Sequence, residues 1–104
     1  MKGYKTSKDF KHLKELLDAG KEVVCFITYD FNEHNKEKPD YEPIITTDVC
    51  TAKVLSKGTE YEQYTISCRG TGFLNYWKHG FDYKYTFEEL CEAQNVEYIE
   101  PDES

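Results

Sequence analysis

The sequence contains no long hydrophobic run, because its longest uninterrupted apolar stretch is residues 23–27. A membrane-spanning helix needs about 20 such residues, so we expect no membrane partner. The first residues also lack the apolar segment of a secretory signal. The sequence therefore predicts a reduced, cytoplasmic location.

Basic residues are scarce toward the C-terminal end. Residues 1–21 carry six lysines and three acids, whereas residues 86–104 carry seven acids and no base, and the formal net charge of the chain is -7. Such a surface repels phosphate groups, so we expect no direct binding of nucleic acid. Three interpretations stay open. The acids form a solvated face that aids solubility, they dock on a basic protein, or they pack near the basic N-terminal end.

Motifs for metal binding and catalysis are missing as well. The four cysteines, Cys25, Cys50, Cys68 and Cys91, form no CxxC pair and show no zinc-module spacing with histidine. No calcium-binding loop appears, so we predict neither a metal nor a cofactor. Cys25, Cys68 and Cys91 lie in apolar stretches and are expected to be buried, whereas Cys50 follows Asp48 closely and is less clearly buried. A cysteine-dependent enzyme stays open as a third hypothesis, and we predict a protein that is not an enzyme.

Aromatic residues supply the material for a core. They make up 15% of the 104 residues, and a chain of this length builds one domain. Residues 1–100 are expected to form it, with a frayed acidic tail at 101–104.

Local signals predict the elements of that domain. A helix is predicted over residues 7–19 from a cap signal near Thr6 and a stop at Gly20. A second helix is predicted from the capping box at Thr86, which Tyr85 and Leu90 flank as a hydrophobic staple, to a stop at Asn95. Strands are predicted over 22–31, 44–55, 60–69, 81–85 and 96–99, with a bulge near Val49 and a polar loop at 32–43. The strand 22–31 is apolar on both faces, so we expect both to be covered. The order predicts an α+β fold, with two helices packed on a mainly antiparallel sheet of about four to five strands.

The segment Arg69, Gly70, Thr71 and Gly72 is the most site-like part of the sequence. It follows a predicted strand and contains the only arginine. Two glycines let backbone N–H groups converge on an anion, and the guanidinium of Arg69 adds a bidentate contact. Tyr76 and Trp77 lie close enough in sequence to stack on a ring. The segment therefore predicts a binder of an anionic or nucleotide-like small molecule, and an ordinary turn is the alternative.

A protein-binding surface is the leading interpretation. Tyrosine is enriched where proteins meet partners, and the chain has nine tyrosines. The candidate partner-binding residues are Tyr61, Tyr64, Tyr83, Glu88, Glu92 and Glu97. The alternative for the tyrosines is a place in the core with the hydroxyl at its edge. Exposed rings also leave a homodimer open.

The pattern Phe10-x-x-Leu13-x-x-Leu16-Leu17-x-x-Gly20-Lys21-x-Val23-Val24 resembles the start of small phage-encoded domains of the anti-defence kind. Those domains usually continue with a Gly-Trp segment, where this chain has Cys25-Phe26-Ile27. The resemblance implies an accessory or inhibitor protein of a bacterium or phage, and it transfers no site residue. The sequence as a whole predicts a small acidic protein that acts by binding another protein, and a basic protein is the expected partner.

Overall fold

An antiparallel sheet of six strands forms the framework within residues 5–68, 71–78 and 84–101, which the computed structural model describes. The strands are β1 (Thr6–Ser7), β2 (Val23–Asp30), β3 (Ile45–Leu55), β4 (Gln63–Cys68), β5 (Thr71–Trp77) and β6 (Val96–Ile99). Their order in the sheet is β1-β6-β2-β3-β4-β5. Helices α1 (Phe10–Asp18) and α2 (Phe87–Ala93) complete a single small α+β domain. The class is as predicted, but the sheet has six strands instead of four to five.

Helix α1 starts later than predicted. Thr6 and Ser7 pair with Ile99 and Tyr98 of β6, which holds them in an extended conformation. Asp9 is the actual cap, and its carboxylate accepts a hydrogen bond of 3.2 Å from the backbone N–H of His12. The pairing of β1 with β6 also brings the basic N-terminal and acidic C-terminal segments side by side, as one of the three interpretations of the charge pattern expected.

Helix α2 begins as predicted. The Thr86 hydroxyl accepts a hydrogen bond from the Glu89 backbone, and the Glu89 carboxylate accepts one from the Thr86 backbone. Asn95 follows the helix with a φ of 60°, the left-handed conformation that ends helices. These two signals are local, which is why the sequence revealed them.

Both helices cover the same face of the sheet, and the core lies between them and that face. Leu13, Leu17, Phe87 and Cys91 are buried on the helix side. The sheet contributes buried residues from five strands: Val23, Cys25, Ile27, Cys50, Ala52, Tyr64, Ile66, Leu74, Val96 and Tyr98. The ring of Tyr64 contacts that of Phe87 at a centroid distance of 4.9 Å.

The opposite side of the sheet, here called the open face, carries neither of the two described helices. It carries the alternate residues of the same strands, among them Val24 and Phe26 of β2 and Val49 of β3. Val24 and Val49 are exposed. The prediction that both faces of this central strand are covered was therefore wrong, since the described elements cover only one.

Two further expectations need correction, and a third lies mostly outside the described residues. The pairing of β2 with β3 runs without interruption from Ile45 to Ala52, and the irregularity lies instead in the β4–β5 pairing at Ile66 and Ser67. Thr71 and Gly72, for which an ordinary turn is the alternative prediction, begin strand β5. Most of the strand predicted at 81–85 lies outside the described residues, and the two that are described, residues 84 and 85, are a bend.

The loop between β2 and β3 is organised by Asp30. Its carboxylate accepts hydrogen bonds from the backbone N–H groups of Asn32 and Ile44, both at 2.9 Å, and from the hydroxyl of Tyr41. A short 3-10 helix (Glu33–Asn35) occupies the middle of this loop. Among the described helices, none is long and apolar enough to cross a membrane.

Candidate functional site

The described part of the predicted ligand segment belongs to the sheet. Arg69 and Gly70 lie outside the described residues. Thr71 and Gly72 pair with Cys68 and Ser67 as the start of β5, so their backbone is extended. The described part of this segment is thus a strand and not the turn that the anion site requires.

Tyr76 and Trp77 cannot flank one bound ring. They are consecutive residues of β5 and therefore point to opposite faces of the sheet. The Tyr76 ring lies on the core side, 6.2 Å between centroids from both Tyr64 and Phe87. Trp77 pairs with Gln63 and lies on the open face. Geometry thus separates the two aromatic residues that the ligand hypothesis joined.

The candidate partner-binding residues do not form one surface. Tyr64 is 1% exposed, so its ring belongs to the core and not to a contact surface. Tyr61 is exposed in the loop before β4, and Tyr83 lies outside the described residues. Glu97 pairs with Phe26 on the open face. The remaining two, Glu88 and Glu92, lie on α2, which packs on the other face.

Glu88 and Glu92 belong to an acidic part of α2 that borders an apolar hollow. The hollow, about 500 Å³ in volume, is lined by Tyr85, Leu90, Ala93, Glu89 and Glu92. We call these five residues the α2 patch. Tyr85 is half-exposed and Leu90 is partly buried against the core. Glu88 lies one turn before Glu92, on the same side of the helix. The patch combines an apolar floor with carboxylates at its rim.

A second charged cluster joins α1 to the far edge of the sheet. The Lys78 ammonium lies 2.8 Å from Asp18 Oδ1 and also contacts a Glu62 carboxylate oxygen. Tyr64 donates its hydroxyl to Asp18 Oδ1 at 2.5 Å. The Lys78 ammonium also lies 4.6 Å from the centroid of the Tyr64 ring. We call Asp18, Glu62, Tyr64 and Lys78 the Lys78 cluster.

The electrostatics of the Lys78 cluster fit a structural role. Burial alone would lower the pKa of Lys78, but hydrogen bonds with Asp18, Glu62 and Tyr64 outweigh it and raise that pKa above its usual value. Burial and the hydrogen bond to Asp18 raise the pKa of the Tyr64 phenol. The pKa of Asp18 is lowered, because the hydrogen bonds from Lys78 and Tyr64 overcome the effect of burial. A catalytic acid or base needs a pKa near neutrality, and each of these three shifts leads away from it.

Sequence reasoning named one member of each feature, Glu92 and Tyr64, but missed the residues that the fold groups with them. Tyr64 and Asp18 are 46 residues apart in the chain, and no local pattern marks residues that only the fold brings together. For the α2 patch a signal existed, since Tyr85 and Leu90 flank the capping box. It was interpreted as a staple that packs the two side chains together.

The cysteines are not arranged as a metal site. Within the described residues no group of three or more histidine, cysteine or acidic side chains is placed to hold a metal ion. Cys25, Cys50 and Cys91 are buried, whereas Cys68 is partly exposed. Cys50 is therefore more deeply buried than Cys68, which is the reverse of the prediction. Burial, together with the neighbouring Cys50, raises the pKa of Cys25 to about 12, and burial also raises that of Cys50 to about 11. Thiols protonated to this degree are poor nucleophiles.

Comparison of the chain with protein-family models, curated proteins and solved structures finds no match.

Proposed function

We propose that this protein is a non-enzymatic interaction domain whose α2 patch binds a basic segment of another protein. The observation that carries the proposal is the apolar hollow lined by Tyr85, Leu90 and Ala93 with carboxylates at its rim. An apolar side chain of the partner enters the hollow, and flanking lysines or arginines meet Glu89 and Glu92.

The charge of α2 itself supports a basic occupant, although Lys84, whose ammonium lies 5.8 Å from the centroid of the Tyr85 ring, adds one cation beside the α2 patch. The described part of the chain after Lys84 contains acids but no lysine or arginine, and three of these acids lie on α2. An acidic or nucleic-acid partner would meet repulsion here. Complementary charge mainly accelerates association and confers specificity, while the apolar contact supplies most of the affinity. The complex is therefore expected to weaken as salt rises.

The chemistry of the partner can be tested without knowing its identity. A random peptide library is selected on the wild-type protein and, in parallel, on the variants Leu90→Ser and Glu92→Lys. We expect enrichment of peptides that carry an apolar residue between lysines or arginines. Both variants should lose that enrichment, because one removes the apolar floor and the other reverses the charge of the rim.

Glu37→Lys is the matched control, because Glu37 is an exposed acid in the loop between β2 and β3. It makes the same change in net charge as Glu92→Lys, and it should keep the enrichment. Circular dichroism and thermal unfolding establish that each variant is folded. The proposal fails if the wild type enriches no basic motif, or if Glu37→Lys and Glu92→Lys reduce the enrichment equally.

A further inference from the structure

Three of the four cysteines form one row across neighbouring strands on the core side of the sheet. Cys25 of β2 is the cross-strand partner of Cys50 of β3. On the other side of β3, Thr51 pairs with Ser67 of β4. Moving one residue along each of these antiparallel strands reaches Cys50 and Cys68, which therefore also lie opposite each other. We call Cys50 and Cys68 the thiol pair.

The spacing of the thiol pair suits a disulfide bond. Opposite residues of antiparallel strands have Cα atoms about 4.5–5.5 Å apart, and disulfides usually span about 4.4–6.8 Å between Cα atoms. Burial and, after it, the nearby Cys68 raise the pKa of Cys50 to about 11, which agrees with adjacent side chains. Cys25 lies two strand spacings, about 9.6 Å, from Cys68, and bridging fails beyond about 7 Å. Cys50 is therefore the thiol of the row that Cys68 can reach.

Exposure decides which thiol is oxidised first. Cys68 is partly exposed, whereas Cys25, Cys50 and Cys91 are each at most 2% exposed. A small oxidant from the solvent therefore reaches the Cys68 sulfur, and a peroxide converts an accessible thiol into a sulfenic acid. Cys25 and Cys91 are also neighbours in the core, but neither is accessible to the oxidant.

We propose that the thiol pair is a site of reversible oxidation by hydrogen peroxide, which joins Cys50 to Cys68 in a disulfide bond. In the first step the Cys68 sulfur attacks one peroxide oxygen, the O–O bond breaks, and the thiol proton leaves with the other oxygen as water. In the second step the Cys50 sulfur attacks the sulfur of the sulfenic acid, the S–O bond breaks, and the Cys50 proton leaves with the hydroxyl group as a second water. The two sulfurs together lose two electrons, which the peroxide gains.

The position of Cys50 compensates for its weak nucleophilicity. Its thiol stays protonated at neutral pH, and burial keeps external reagents away from it. The sulfenic acid on the neighbouring strand is instead held beside it, so the second step needs no bimolecular encounter. The new bond replaces a weak hydrogen bond of 3.7 Å from the Cys50 thiol to the Asp48 carbonyl. It cross-links β3 to β4 without changing their pairing, and an excess of a small dithiol supplies the two electrons and two protons that reverse it.

The test treats the reduced, folded protein with a small molar excess of hydrogen peroxide and counts the free thiols after unfolding. The wild type should lose two of its four thiols and about 2 Da of mass, the mass of two hydrogens. Dithiothreitol should restore both thiols. Digestion with trypsin, after the remaining thiols have been blocked and without reduction, should give residues 37–53 and 58–69 as one linked pair, because these peptides contain Cys50 and Cys68.

Three variants separate the thiol pair from the other pair in the row. Cys68→Ser should keep its three thiols, because no sulfenic acid forms beside Cys50. Cys25→Ala should lose two of its three thiols, because Cys25 is not part of the bond. Cys50→Ala should form no disulfide and should instead accumulate a sulfenic acid on Cys68, which dimedone traps. Circular dichroism establishes that each variant is folded.

Four outcomes would overturn the proposal. They are a wild type that keeps all four thiols, a wild type whose mass rises by added oxygen instead of falling, a linked peptide that contains Cys25, and a Cys68→Ser variant that still loses two thiols. The exposed position of Cys68 in the wild type makes Cys68→Ser the variant least able to disturb the core, so its result is decisive even where a core variant unfolds.

Discussion

Lys78 and Asp18 form an ion pair of 2.8 Å that ties the end of α1 to the chain just beyond edge strand β5. The same ammonium contacts Glu62, which is only 8% exposed. Because Glu62 has so little access to water, it depends on Lys78 to compensate its charge. The pair is therefore unlike the exposed ion pair between Lys53 and Glu22, whose atoms are 4.0 Å apart.

Replacing Lys78 should be costly for this reason. We expect Lys78→Met to lower the free energy of unfolding by about 3 kcal/mol, as for the loss of one partner of a buried pair. Lys53→Met is the matched control and should cost less than about 1 kcal/mol, because its ion pair is exposed. Urea unfolding of both variants measures the difference. Equal losses would show that the Glu62 carboxylate is adequately solvated without Lys78.

Thr86 should contribute to stability through the cap of α2. Thr86→Ala removes the hydroxyl that accepts the Glu89 N–H hydrogen bond, and it should lower the free energy of unfolding by about 1 kcal/mol. Thr86→Ser keeps an oxygen in the same place and should stay within a few tenths of the wild type. Chemical denaturation measures both. If serine and alanine proved equally destabilising, the methyl group of Thr86 and not its hydroxyl would be the stabilising part.

The sequence predicted those features of the fold whose signals lie in neighbouring residues. The two ends of α2 depend on groups within a few residues of each other, at Thr86 and Asn95, and most of the strands were found from their own composition. The start of α1 was misplaced because it depends on the pairing of Thr6 and Ser7 with the distant strand β6. The two-residue strand β1 has too few residues to show a pattern. The uncovered face of β2 was not predicted, because the identity of an apolar residue does not show whether a helix covers its side chain.

The candidate site was predicted less well, and for a physical reason. Glu88 and Glu92 were named from their charge, but Leu90 and Ala93 matter only through the hollow that they line together. Tyr64 was named as a surface residue, because its alternation in β4 does not tell which face the helices will cover. The Lys78 cluster depends on contacts between distant parts of the chain, which no local pattern contains.

The exposure of the four thiols predicts their reactivity. With the native protein and an aromatic disulfide reagent, we expect one thiol, that of Cys68, to react quickly, and the other three to react only after unfolding. The thiolate released from the reagent is followed by absorbance, with and without urea. Cys68→Ser should abolish the fast phase. A fast phase that survives this substitution would mean that the core opens readily around Cys25, Cys50 or Cys91.

The same thiols predict a loss of stability in alkaline solution. Burial and the neighbouring Cys50 raise the pKa of Cys25 to about 12, whereas a thiol in the unfolded chain ionises near its ordinary value of 9.0. Above pH 9 the unfolded state therefore releases a proton that the folded state still holds. The stabilising effect is complete below pH 9 and disappears as the pH rises toward the folded-state pKa. Each such group should lower the free energy of unfolding by about 1.4 kcal/mol per pH unit.

Cys50, whose pKa burial raises to about 11, should contribute in the same direction over the first two of these pH units. Denaturant unfolding at intervals from pH 7 to pH 10.5, under reducing conditions, measures the slope. Cys25→Ala costs some stability at every pH, because it leaves a small cavity. Above pH 9 the free energy of unfolding of this variant should nevertheless fall less steeply with pH than that of the wild type. The difference should be about 1.4 kcal/mol per pH unit, the contribution of one thiol. A slope unchanged by Cys25→Ala would show that other groups, such as Tyr64, carry the alkaline transition.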